Sequence, residues 1–274
     1  MKFIHLSDLH FHRSPNDNRE ATTTLEFINS NYPSHYLLVT GDITDDGDST
    51  QYNNAWDALS AFNGRIYICP GNHDFGAAGN FYEKSRAERF DHVLAGPLGQ
   101  QGTCAGATRP VVNLVTAGND QALIIALDSN LETLTPFDFA CGKIGEMQLQ
   151  ALDQILTSYA GCEAKKILLL HHHPFLRDDP FMKLQDAEQL WATVYHRIDV
   201  MCFGHKHVWG EWFDYEAVPI ILASDNSPGK NFAHEITVTA SGASAATVPI
   251  SPQVPTTMNV RSAKPSAPRR RTKK

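Results

Sequence analysis

The 274-residue sequence has no C-x-x-C pair, no apolar run of membrane-spanning length and no internal repeat, and its first 260 residues are poor in cations. Each shortage removes a class of protein. The five cysteines (Cys69, Cys104, Cys141, Cys162, Cys202) are odd in number and widely spaced, which argues against a disulfide framework and against a zinc ribbon. They fit a reducing cytoplasm, the expected location. The opening "MKFIHLSDLH" turns polar at Ser7 and Asp8, too early for a signal-peptide core, and no segment approaches the roughly 20 apolar residues that a membrane helix needs. No membrane partner is expected. Residues 261–274 hold seven Lys and Arg, so the formal charge of −7 conceals a body of 16 basic against 30 acidic side chains. A body that acidic repels a phosphate backbone, and a nucleic-acid polymer is not an expected partner.

What the sequence does contain is a recurrence of short apolar runs, at 2–8, 35–42, 65–72, 110–117, 122–129, 166–173 and 199–206, which read as buried strands. Amphipathic stretches at 18–32, 49–62, 145–159 and 186–197 separate several of them. This alternation predicts an α/β architecture. In the stretch 145–159, Met147, Leu149, Leu152, Ile155 and Leu156 form an apolar stripe that needs no explanation beyond a core. After Trp209 come "VWGEWFDYE", "AVPIILAS" and "FAHEITVTA", strands without helices, which suggest a closing antiparallel section. From Ser241 the chain is small, polar and Pro-rich, so the catalytic domain is expected to span 1–240 and a disordered basic tail 241–274. The stretch 91–108 reads as a long loop.

The ends of the strands carry the chemistry. The first run ends "SDLHFH", the second "VTGDITDDG", the third "CPGNHD", a later one "LLLHHHP" and the last "CFGHKH". Open α/β sheets place their sites at such carboxyl ends. Asp8 and His10 are two apart, as are His205 and His207, so in extended chain each pair points one way and could grip one ion. Asp42 could bridge two cations with its two oxygens, and Asn72 could add a neutral amide oxygen. Such a mixed N/O set suits Mn, Fe, Zn or Mg. Two adjacent divalent cations activate water and stabilise a phosphoryl group, which points to phosphoester hydrolysis.

Five ordered blocks resemble the calcineurin-like metallophosphoesterase family: Asp8-Leu9-His10, Gly41-Asp42-Ile43-Thr44-Asp45, Gly71-Asn72-His73-Asp74, the run His171–His173, and Gly204-His205-Lys206-His207. They cover roughly the first 210 residues. The resemblance implies a four-layer αββα sandwich of two mixed sheets flanked by helices, with two divalent metal ions at the strand ends. It implies that Asp8, His10, Asp42 and His207 hold one ion, and that Asp42, Asn72, His205 and one of the triple histidines hold the other. An H-x-P pattern after the strand selects His172, with His171 as its competitor. His73 would face the substrate and donate to a phosphoryl oxygen or leaving group, with Asp74 orienting it. His12 and His173 are candidate substrate contacts beside Asn72 and His73, and Asp45 a supporting carboxylate. "ALIIALDSN" followed by "CGKIGEMQLQALDQIL" is similar to the bacterial cyclic-nucleotide and glycerophosphodiester branch, with Gly142 and Gln148 at matching places. The implied activity is hydrolysis of a small phosphodiester by a metal-bridging hydroxide. A phosphomonoesterase or a nuclease on the same site, and a non-catalytic scaffold, are the alternatives; the oligomeric state stays open, a homodimer included. His5, His35, His92, His196 and His234 read as packing residues outside the site, and "RRRTKK" as a solvated tail.

Overall fold

The computed structural model of the protein describes residues 1–79, 81–106, 108–130, 140–175 and 179–251. In chain order the elements are β1 (Lys2–Leu6), α1 (Arg19–Asn31), β2 (Tyr36–Thr40), α2 (Ser49–Ser60), β3 (Ile66–Cys69), the short helix α3 (Asn72–Phe75), the small hairpin β4 (Gly76–Ala77) and β5 (Phe81–Tyr82), and α4 (Lys84–Arg89), which runs into a π-helical turn (Phe90–Ala95). There follow β6 (Val111–Ala117), β7 (Asp120–Ala126), α5 (Glu146–Ser158), β8 (Lys165–Leu169), α6 (Ala187–Val194), β9 (Val200–Phe203), β10 (Gly210–Tyr215), β11 (Val218–Ala223), β12 (Phe232–Thr239) and β13 (Gly242–Pro249).

Beside the β4-β5 hairpin, the described strands form two large sheets, ordered β13-β12-β1-β2-β3 and β10-β11-β9-β8-β7-β6. β1, β2 and β3 are parallel, as are β7, β8, β9 and β11, while β12, β13, β10 and β6 join antiparallel. Both sheets are therefore mixed, as expected. The period of two along β7 separates the layers: Ala122, Ile124 and Ala126 join the core shared with the first sheet, and Leu123 and Ile125 join the core under α5 and α6. Leu25 and Ile28 of α1 and Ala55 and Leu59 of α2 close the opposite side. This is the αββα sandwich. Local signals fix the helices: at α2 the Asp48 carboxylate accepts from Thr50 N at 2.8 Å while Gln51 Oε1 accepts from Asp48 N at 3.4 Å, a reciprocal cap.

Three expectations need correction. The ordered domain does not end at 240, because Gly242–Pro249 pairs antiparallel with β12 over eight residues and Ile250 is fully buried. Its alternating Ala, Thr and Val carry too little apolar bulk to stand out in sequence, yet Ala243, Ala245 and Val248 pack on the core. Residues 252–274, the rest of the expected tail, lie outside the described residues. Met147 is 64% exposed, while Leu149, Leu152, Ile155 and Leu156 of the same helix are buried. The stretch 91–108 is not loop throughout: it begins in the π-helical turn Phe90–Ala95, and the Asp91 carboxylate there accepts from Cys104 N and Ala105 N at 2.7 and 2.9 Å.

Candidate metal centre

The carboxyl ends of β1, β2, β3, β8 and β9 meet at one edge of the sandwich. β1 and β2 stay zipped beyond their ends, with Asp8 N donating to Gly41 O, His10 N to Asp42 O and Phe11 N to Ile43 O at 3.1, 3.0 and 2.8 Å. Five site residues other than glycine hold left-handed backbone there: Asp8, His10, Asp42, His205 and His207, at φ of 59°, 46°, 48°, 77° and 50°. Such conformations are costly and persist where the surroundings over-determine them. Gly41 has φ 83°, and a Cβ on it would stand 2.6 Å from His171 Nδ1, so only glycine lets these segments close. A Cβ on Gly204 would collide with Ser7 and Asp8.

The side chains brought together form three groups, Asp42–His171–His205, Asp8–His10–His207 and His10–Asp45–His73, the last two sharing His10, each with one ligand-type atom per residue within 4.8 Å of the others. Asp42 Oδ2 lies 3.1 Å from His171 Nε2, and Asp42 Oδ1 accepts from His73 N at 2.9 Å. His205 Nδ1 is 3.0 Å from Asn72 Oδ1 and 3.2 Å from His171 Nε2. The Asn72 amide is oriented from behind, since its Nδ2 donates to Gly79 O at 3.1 Å. Asp8 accepts from His205 N at 3.1 Å and lies 3.9 Å from His207 Nε2. His10 stacks on His207 and meets His73 edge-on, at ring distances of 5.2 and 4.9 Å.

Of the three consecutive histidines, His171 forms the ligand-type group with Asp42 and His205; the His172 ring lies 4.4 Å from that of His205 but is not part of that group. His171 Nδ1 is held by Thr40 O at 2.8 Å, which turns Nε2 toward the cluster. His172 instead faces Ser129, whose Oγ accepts from the His172 backbone at 3.2 Å and sits 2.9 Å from its Nδ1. The H-x-P pattern selects His172, whereas the side chain that reaches Asp42 is His171; β8 stops at Leu169, and beyond a strand end the pleat no longer sorts side chains by parity. His173 also departs from the expected rim position: it is 8% exposed and packs its ring on Phe203, Phe175 and Trp212. His12, more exposed, sets its Nδ1 3.3 Å from Asp45 Oδ2.

Asp74 does not orient the His73 ring. Residues 72–75 form a helical turn, and adjacent residues on a helix point apart. The Asp74 carboxylate instead accepts from Thr44 N, Thr44 Oγ1 and Gly71 N at 2.8, 2.9 and 2.9 Å, tying the Gly41–Asp45 block to the Gly71–Asp74 block. The partner of the His73 ring is the Asp45 carbonyl, 2.6 Å from Nδ1. Gln148 grips the main chain of Asp128, accepting from its N at 3.0 Å and donating to its O at 2.7 Å. Gly142 has no room for a Cβ beside the His172 ring. Three site neighbours were not foreseen: Thr40, Ser129 and Asp225. Asp225 follows an apolar strand just as Asp8 and Asp42 do, and that signal was available. His5, His35 and His234 are buried away from the cluster, while His92 and His196 are exposed.

Charge is concentrated here. Burial pushes the Asp8 carboxyl up to about 6, with Asp42 adding to the rise and His171 opposing it. At Asp42 burial acts the same way, but His171 and His73 outweigh it and hold the carboxyl well below the usual range. Burial disfavours charge on His171, yet Asp42 prevails and raises it to about 9. Burial lowers His10 to about 4 and, with His171, lowers His205 to about 3. The His171 imidazolium and the Asp42 carboxylate, 3.1 Å apart, form a buried ion pair. Its contribution to stability is full below the unfolded histidine value of roughly 6.5 and is lost as pH rises through about 9. Since a ligating imidazole must be neutral, cation uptake should release about one proton from His171 near pH 7.5 and progressively less above pH 9. Calorimetry in buffers of different ionisation enthalpy measures that release; uptake with no proton release at pH 7.5 would contradict it.

The donor set fits divalent cations. Both ring nitrogens of His10 and Nε2 of His205 are buried without a hydrogen-bond partner. Buried polar atoms are seldom left so unless another group satisfies them. Imidazole nitrogens, carboxylates and one amide oxygen make a borderline N/O set, with no thiolate among the clustered groups.

An αββα sandwich with imidazoles and carboxylates gathered at the strand ends defines a metallophosphoesterase. A model of the calcineurin-like phosphoesterase family matches residues 1–209, and the chain belongs to that family. It is 26% identical over 220 residues to the 3',5'-cyclic adenosine monophosphate phosphodiesterase CpdA of Vibrio vulnificus, a match covering 76% of this chain and 70% of that one. It is 24% identical over 182 residues to a 3',5'-cyclic-nucleotide phosphodiesterase of Nostoc, covering 62% of this chain and 55%, about half, of that protein. Among solved structures, a dimetal phosphatase from Danio rerio superposes with TM-score 0.66 at 15% identity, covering 92% of this chain and 99% of that one. GAP50, the anchor in the inner membrane complex of Plasmodium, superposes with TM-score 0.54 at 12% identity, covering 91% and 84%. These two likenesses establish the fold.

Proposed function

We propose that the protein is a phosphodiesterase for small phosphodiesters, cyclic nucleotides foremost, that works with two divalent cations. Asp8, His10, Asp42 and His207 would hold one, and Asp42, Asn72, His171 and His205 the other. The observation that carries this reading is the position of Asp42: it faces His171 from the second group, and its field reaches His10 of the first. Bound cations supply an activated water and positive charge for the phosphoryl oxygens. The chain does the rest. Asn72, fixed through Gly79 O, and His73, fixed through Asp45 O, border the place where a phosphoryl group would sit. With Nδ1–H committed to the Asp45 carbonyl, His73 Nε2 can carry a second proton and pass it to a phosphoryl oxygen or the leaving alkoxide. The preference for diesters is supported by the two curated relatives. The odd number and wide spacing of the cysteines support a reducing cytoplasm.

The test is metal analysis followed by a substrate panel with Mn, Fe, Zn or Mg: cyclic AMP, bis-p-nitrophenyl phosphate, p-nitrophenyl phosphate and single-stranded DNA. Both diesters should be cleaved faster than the monoester or the polymer. Faster cleavage of p-nitrophenyl phosphate would make it a phosphomonoesterase, and no cleavage with any metal would leave a scaffold.

A further inference from the structure

The two groups of ligands are held in different ways. In Asp42–His171–His205 every member is buried, and His171 is fixed from behind by the neutral Thr40 carbonyl at 2.8 Å. In Asp8–His10–His207 one member is exposed: the His207 side chain is 43% accessible. Its Nε2 faces Asp8 while Nδ1 lies 3.4 Å from Asp225 Oδ1, on the loop between β11 and β12. Asp225 itself is 1% exposed and held, accepting from Ser227 N and Oγ at 3.2 and 2.6 Å. Its other oxygen is 3.3 Å from Lys230 Nζ. A buried carboxylate behind a half-exposed imidazole selects the tautomer with the proton on Nδ1 and leaves the Nε2 lone pair forward.

Resting on the two-cation reading, we propose that Asp225 is a positioning residue that sets cation affinity at the Asp8–His10–His207 position alone, making that position the exchangeable one of the pair. The opposite position owes nothing to Asp225. Its imidazoles are oriented by Thr40, Asn72 and the packing of the sandwich interior, so apart from the shared Asp42 the two positions are set by different partners. The exposed Lys230 ammonium lies against the opposite oxygen of the same carboxylate, so His207 and Lys230 share Asp225 and do not displace one another.

Titration of the metal-free full chain with Mn2+ tests this. The wild type should show two classes of site. In Asp225→Ala the weaker class should lose about 10–100-fold in affinity with the tighter class unchanged, and Asp225→Asn, which keeps an acceptor for Nδ1–H, should recover most of the loss. A double-substitution cycle separates positioning from a general structural effect: in a His207→Ala background, Asp225→Ala should cause no further loss. The tighter class and a thermal melt report whether each variant is folded. An unchanged weaker class in Asp225→Ala, an equal fall in both classes, or additive losses in the double variant would overturn the proposal while leaving the two-cation reading in place. Fewer than two classes in the wild type would overturn both.

Discussion

Asp42→Ala will abolish turnover, by more than about 10³-fold in kcat/KM or roughly 4 kcal/mol of transition-state stabilisation, and will remove much of the bound metal. The residue has a different neighbour on each oxygen. Oδ2 faces His171 Nε2 at 3.1 Å and Oδ1 receives the His73 amide at 2.9 Å, and among the described residues no second carboxylate makes both contacts. Its loss leaves His171 buried without its counter-charge. Metal content and initial rates with bis-p-nitrophenyl phosphate measure the outcome. A variant that retains two equivalents of metal and more than a tenth of the activity would show that Asp42 is not the shared ligand.

His73→Ala should behave otherwise, with kcat lower by about 10²- to 10⁴-fold and the metal content intact. The backbone N–H of residue 73, which holds Asp42 Oδ1, survives the substitution, so the ligand cluster keeps its shape. What disappears is an imidazole whose Nδ1 is anchored on Asp45 O and whose Nε2 is the proposed donor to the substrate. The contrast between the two variants matters more than either value. Equal metal loss in both would contradict the division into ligand and proton donor.

Much of this architecture is legible in sequence because the strands are short, apolar and followed at once by Asp, Asn or His. Periodicity alone gives β1, β2, β3, β7, β8 and β9 to within a few residues and places the five motif blocks at their ends. The reasoning weakens where regular geometry stops. Parity along a strand says nothing past Leu169, so His171 and His172 could not be told apart; the decision lies with Thr40 and Ser129, 131 and 43 residues away from their respective histidines. Asp74 was misassigned for a related reason, since the turn of helix at 72–75 sends it away from the His73 ring. β13 was hidden by composition: an edge strand of Ala, Thr and Val resembles a flexible tail until its partner β12 is seen. Asp225 was missed because it belongs to no motif, although its place after an apolar strand matches that of the others.

The left-handed backbone at Asp8, His10, Asp42, His205 and His207 bears on any attempt to make the protein hardier. Glycine or asparagine would relax each of these positions, and a stability screen blind to catalysis would reward the change. Selection for thermal tolerance would then erode the metal centre one tense residue at a time, so an engineering programme should freeze these five sites and seek its gains on the outer helices.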